Sequence, residues 1–112
     1  MIHLIQTQAT VQQIEEMLEG TGLYIKPAVD IKREILAGGG ILHSDCERVL
    51  LENGSIQSDI WGANWYAINA SLDYESLINI RPKQGNRSMN IQDAMIRSRI
   101  LEITQRLLEG GS

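Results

Sequence analysis

The residues with the densest chemical potential lie between Ile80 and Met89, where Arg81, Lys83, Gln84, Asn86, Arg87 and Ser88 crowd one short segment. A guanidinium offers a rigid fork that matches a carboxylate or phosphate, and Asn and Gln amides read a polar edge. The segment runs into the start of a helix, where free N–H groups favour negative charge. With Gly85 as its one glycine, it fits neither phosphate-loop spacing nor a dinucleotide fingerprint. Arg81, Gln84, Asn86 and Arg87, with Asp59 and Trp61 upstream, form the candidate surface for a small anionic ligand or a protein partner. The competing use is internal. Arg81 or Arg87 would pair with Asp30, Asp59 or another acid, while Gln84 and Asn86 would tie down the loop's own backbone.

A second constellation is His43-Ser44-Asp45-Cys46-Glu47. On an extended strand His43, Asp45 and Glu47 share one face, with types suited to acid–base work or a divalent metal. That would make a small hydrolase or nuclease, with Arg81 or Arg87 steadying an anion. Val49 and Leu51 have the same parity, however, so the face would change from polar to apolar unless a bulge or loop intervened. Asp59 is the one further ligand within reach, since His3 is remote in sequence. Cys46 and His43 would point apart on such a strand. The reading is therefore non-enzymatic, with no catalytic residue, cofactor or metal assigned. A third group, Asp59, Trp61, Asn64 and Trp65, offers rings that stack a ligand or pack a core or interface. Convergence of the three groups would put His43, Asp59 and Arg81 on one rim of a polar pocket with aromatic walls.

The elements that must position these residues follow from patterning. Thr10 and Gln13 make a capping box, and Val11, Ile14, Met17 and Leu18 recur at helical spacing up to Gly20, which predicts a helix over 10–19. Ile2, Leu4 and Ile5 predict a short edge strand or packing arm. From Leu23 to Ile35 apolar and polar residues alternate, which predicts a strand, placed at a sheet edge by Pro27. Asp30 as N-cap and Gly38 as stop give a rival short helix over the same stretch. Gly38-Gly39-Gly40 reads as a turn or bulge. A strand including Arg48–Leu51, an Asn53-Gly54 hairpin turn, a strand from about Ile56 to Trp61 and another within Leu72–Ile80 complete a meander. Asp93 then caps a helix carrying Ile96, Ile100, Ile103 and Leu107 and ending at Gly110. The expected fold is α+β: an antiparallel three- to four-stranded meander with an N-terminal and a C-terminal helix packed on one face, a two-layer sandwich over a single domain, 1–112.

Composition limits the partners. Hydrophobic residues make up 43% and charged residues 21% of the chain, ordinary values for a folded domain rather than a disordered one. Residues 1–75 carry 11 acids and 4 bases, and residues 76–112 carry 3 acids and 6 bases. An acidic body with a basic segment points away from generic nucleic-acid binding, which wants a basic domain. It suits internal pairing or head-to-tail self-association, and a homodimer is expected. There is no Phe, so the core must be aliphatic, supplemented by aromatics that carry a polar handle. No stretch approaches the roughly 18 apolar residues that span a bilayer, and the start of the chain lacks signal-peptide character. A lone cysteine, Cys46, excludes an internal disulfide. A cytoplasmic location without membrane association is the resulting expectation.

Several stretches together resemble an uncharacterised bacterial family, largely cyanobacterial, that is known as a domain of unknown function. They are VDI (Val29–Ile31), LAGGGILHSDCE (Leu36–Glu47), VLLENGS (Val49–Ser55), QSDIWG (Gln57–Gly62) and INIRPKQGNRSM (Ile78–Met89). The resemblance spans most of residues 29–108 and implies a whole, free-standing domain. It implies no activity and no site residues.

Overall fold

The computed structural model describes residues 1–109, and the expected helix stop at Gly110 lies outside them. Four short strands, β1 (His3–Ile5), β2 (Ala28–Asp30), β3 (Ile35–Gly38) and β4 (Ile60–Gly62), form an antiparallel sheet in the order β1-β3-β2-β4. A separate two-stranded ribbon pairs β5 (Asn64–Tyr66) with β6 (Ser71–Asp73). The helices are α1 (Val11–Leu18), α2 (His43–Glu52) and α3 (Ala94–Leu108).

Side chains alternate across a strand, so the register decides what each face buries. Leu36, Val29 and Trp61 stand opposite one another on three neighbouring strands. They join Met17 of α1 and Ile100, Ile103 and Leu107 of α3 in one apolar cluster. Ala28, Ile35, Ala37 and Ile60 face the other way and pack with Cys46 and Leu50 of α2. The α+β class, the antiparallel four-stranded sheet and the two terminal helices sharing one face are as the patterning predicts. The structure adds α2, which covers the second face and makes a third layer.

Capping explains why the terminal helices were legible. Thr10 Oγ1 accepts from the Gln13 N–H at 3.1 Å, and the Gln13 side chain accepts from the Thr10 N–H at 3.0 Å. The Asp93 carboxylate accepts from the Met95 and Ile96 N–H groups at 2.8 and 3.2 Å. Each cap satisfies backbone donors that the helix itself leaves unpaired.

The middle of the chain departs from expectation. Residues 43–52 are helix α2, not a polar turn followed by a strand. His43, Cys46 and Leu50 fall at helical spacing and are buried. Asn53-Gly54 is the end of that helix, not a hairpin turn. The Ser55 N–H bonds the Leu50 carbonyl at 3.0 Å and the Gly54 N–H bonds that of Leu51 at 3.1 Å, with Gly54 at φ +101°. This is the Schellman arrangement, which wants glycine as much as a hairpin does.

The alternating run 23–35 is neither one long strand nor a helix. It folds into the β2–β3 hairpin, whose turn at 31–34 is held by Asp30 Oδ1 accepting from the Lys32 and Arg33 N–H groups, both at 2.9 Å. Pro27 does not mark an edge. It precedes an interior strand and stands opposite Ala63, whose N–H donates to the Pro27 carbonyl at 3.1 Å, while the Ala63 carbonyl that a residue-27 N–H would have met is bonded by His43 Nε2 instead. Of the predicted strand 56–61, residues 57–59 form a 3₁₀ turn and the strand proper is β4. Of 72–80, β6 holds the start, and residues 77–79 are again 3₁₀.

The outer edge of β4 is closed by a side chain. The Asn79 amide accepts from the Gly62 N–H at 2.8 Å and donates to the Gly62 carbonyl at 2.9 Å, so it pairs as a neighbouring strand would. A Cβ at position 62 would sit 2.6 Å from Ser76 Cβ, so only glycine allows this approach.

Candidate functional site

The donor-rich loop is largely spent on its own fold. Arg81 stacks over the Trp61 ring with its guanidinium carbon 5.0 Å from the ring centroid, and its side chain is only 10% exposed. It donates to the carbonyls of Gln57 at 2.7 Å, Ile60 at 2.5 Å and Ile78 at 3.0 Å, and it approaches Glu47 Oε2 of α2 at 3.4 Å. Burial draws its pKa below the ordinary arginine value, and the Glu47 charge opposes that shift. Gln84 donates to the Ser58 carbonyl and accepts from Arg81. Asn86 is buried. Its amide donates to the carbonyls of Asn79, Ser88 and Asn90 and accepts from the Gln92 N–H.

Arg87 is different, being exposed and free of ion pairs among the described residues. Trp61 and Trp65 lie in the core, each 1% exposed. Asp59 is half-buried, and its carbonyl receives the Ile31 N–H. The basic segment pairs inward elsewhere too, since Arg106 and Arg99 of α3 reach Glu34 at 2.9 and 3.6 Å. Arg106, by its hydrogen bond, leads in holding the Glu34 carboxyl below its usual range.

The residues 43, 45 and 47 do not share a strand face. Helix α2 puts His43 and Glu47 one turn apart, Glu47 facing Arg81 and Asp45 paired with Arg48 at 3.0 Å. The described hydrogen bonds give the His43 imidazole no carboxylate partner. Among the described residues no group of three His, Cys, Asp or Glu side chains converges as a metal site. Nor do His43, Asp59 and Arg81 meet on one rim, because Arg81 and Asp59 are absent from the walls of the cavity that His43 lines.

That cavity is the arrangement with most chemical content. It measures about 400 Å³ and lies beside the first turn of α2. Leu42, Leu77, Ile78, Met89 and the Tyr24 ring supply apolar walls, and Lys26, His43, Ser44 and Glu75 supply polar groups. Leu42 sits at the N-cap position and cannot cap, so no side chain satisfies the first-turn N–H groups. The His43 ring is buried to 9% exposure, and its Nε2 lies 2.6 Å from the Ala63 carbonyl. A carbonyl only accepts, so Nε2 carries a proton, and in the neutral ring Nδ1 keeps a lone pair. The Cδ2 edge of the ring faces Gly62, so Nδ1 lies on the opposite edge, without a hydrogen-bond partner among the described residues. Burial pushes the His43 pKa below its ordinary value. The Ala63 bond and the Asp73 charge act against this, and the Lys26 charge adds to it. Lys26 itself lies 5.9 Å from the Tyr24 ring centroid.

A profile of one family, described as a protein of unknown function (DUF5674), matches residues 3–107. The chain belongs to the DUF5674 family. No curated protein and no solved structure matches it. Membership accounts for nearly the whole described fold, from β1 almost to the end of α3, and the family's description names no activity.

Sequence reasoning weighed His43 in a linear acid–base cluster and on a rim shared with Asp59 and Arg81. It missed Lys26, Glu75 and Ser76, which come from two other places in the chain. A usable signal was present in the i, i+3, i+7 spacing of His43, Cys46 and Leu50. It reads as a helix once Asn53-Gly54 is taken for a C-terminal cap.

Proposed function

We propose that this DUF5674 chain is a non-enzymatic small-ligand-binding domain whose site is the cavity at the N-terminus of α2. The observation that carries this is His43, a residue nine-tenths buried, tethered through Nε2 to Ala63, with no partner for Nδ1 among the described residues and an apolar-walled cleft beside it. A buried ring held in one tautomer by a backbone carbonyl is a preorganised acceptor. Apolar walls with a few convergent polar groups are what small-ligand sites share, and the volume lies in their usual range of roughly 300–1,000 Å³.

Among the described residues no carboxylate hydrogen-bonds the imidazole, which suits binding better than hydrolysis. The 81–87 loop serves this reading as scaffold. Arg81 and Asn86 hold the segments that carry Ile78 and Met89, while Arg87 remains available for a partner protein. The test is a fragment screen of the ¹⁵N-labelled chain by amide chemical shift. Hits that move residues 42–44 and 76–78 are expected. Hits confined to residues 81–88, or to neither region, would overturn the assignment.

A further inference from the structure

The α2 cavity is unusual in presenting opposite charge preferences from its two sides. On one side the uncapped first turn of α2, a ten-residue helix, directs its N–H groups and positive dipole end outward, with the Lys26 ammonium in the same wall. On the other, the Glu75 carboxylate lines the rim, and the Asp73 carboxylate is close enough to act on the same histidine. His43 lines the same cavity, and Nδ1 of its neutral ring is an acceptor open to a donor. A simple anion such as phosphate would use the first side and leave the histidine and Glu75 unmatched. A purely apolar molecule would strip water from Lys26 and Glu75 without replacing those bonds.

Resting on the reading of the cavity as a binding site, we infer that it takes a small α-amino acid with an apolar side chain. The carboxylate meets the first-turn N–H groups of α2 and Lys26. The ammonium donates to His43 Nδ1 and faces Glu75. The side chain lies on Leu42, Leu77 and Met89, which are 56%, 71% and 42% exposed without a ligand and so have apolar surface left to cover. The uncapped start of α2, the cavity-lining pair of His43 and Glu75, and the apolar wall are thus each matched by one part of a single molecule.

The experiment is calorimetric titration of the full chain with L-leucine, N-acetyl-leucine, leucine methyl ester and 4-methylpentanoate, alongside the Glu75→Gln and Lys26→Gln variants. Glu75 is exposed and engages the fold only through its backbone, so its replacement leaves folding intact. Leucine is expected to bind, and blocking or deleting either charged group to weaken binding by roughly tenfold or more, as the loss of a charge-assisted hydrogen bond does. Glu75→Gln should narrow the preference for leucine over 4-methylpentanoate, and Lys26→Gln the preference for leucine over its methyl ester. Equal affinity for leucine, N-acetyl-leucine and 4-methylpentanoate would overturn the amino-acid assignment while leaving a binding cavity for acids. No binding by any of the four, with fragments still shifting residues 42–44, would overturn the inference alone. No binding together with a silent cavity in the fragment screen would remove both readings.

Discussion

Replacing Arg81 tests whether the most conspicuous cation of the chain is a recognition group or a strut. The Arg81→Ala variant removes a side chain that donates to three backbone carbonyls at 2.5 to 3.0 Å and covers the Trp61 ring. It also leaves Glu47, 12% exposed, without its guanidinium. At 3.4 Å the ion pair is the loosest of these contacts, so most of the loss comes from the orphaned carbonyls and the bared indole. Breaking a buried charge arrangement from one side costs about 3–5 kcal/mol, because the partners remain desolvated. In a domain of this length that corresponds to a fall in Tm of roughly 12–20 °C. Equilibrium urea unfolding followed by fluorescence of the buried Trp61 and Trp65 reads the change directly, provided the transition stays two-state. Glu47→Gln, which leaves every carbonyl contact in place, should cost only about 1–2 kcal/mol. An Arg81→Ala effect below about 1 kcal/mol, the range of ordinary surface substitutions, would refute the reasoning and return Arg81 to the pool of outward-facing cations.

Three further outcomes are expected. Asn86→Ala should destabilise by about 2–4 kcal/mol in the same urea assay, since four backbone groups lose their partner, whereas Arg87→Ala should stay within about 0.5 kcal/mol. Gly54→Ala should cost about 1–2 kcal/mol, because the residue ending α2 lies at φ +101°. The folded-state pKa of His43 lies below its ordinary value of 6.5. The unfolded chain therefore takes up this proton first on acidification, so the contribution of His43 is complete above pH 6.5 and lost as pH falls from there towards the folded pKa. Urea midpoints measured across that window should decline with falling pH, and His43→Gln should flatten the slope.

Legibility in the sequence tracked how local the determining interactions are. The ends of the chain were readable because Thr10 with Gln13, and Asp93 before the Ile96–Leu107 stripe, encode start and face within a few residues. The class and the shared face of these two helices followed from that. Helix α2 was missed because Leu42 gives no cap signal and because Asn53-Gly54 satisfies a hairpin and a Schellman end equally well. The turn at 31–34 was hidden in an alternating pattern that continues straight through it. Its decisive element is the pair of bonds that the Asp30 carboxylate accepts from the Lys32 and Arg33 N–H groups, and Asp30 also suggested a helix cap.

The candidate site was the least legible part. The composition of the 81–88 loop identified donors but not their acceptors, and for Arg81 and Gln84 those include the carbonyls of Gln57, Ser58 and Ile60, brought near by tertiary packing. The α2 cavity joins Lys26, His43, Glu75 and Met89, spread over most of the chain, and no spacing rule links them.

The account stands on the protonation of one ring, which long-range ¹H–¹⁵N correlation of the His43 imidazole at neutral pH reports directly. It predicts a neutral ring protonated at Nε2, with an Nδ1 resonance that moves when a ligand enters the cavity while Nε2 stays fixed on Ala63. A ring protonated at Nδ1, or an Nδ1 signal indifferent to every compound that binds the chain, would contradict it.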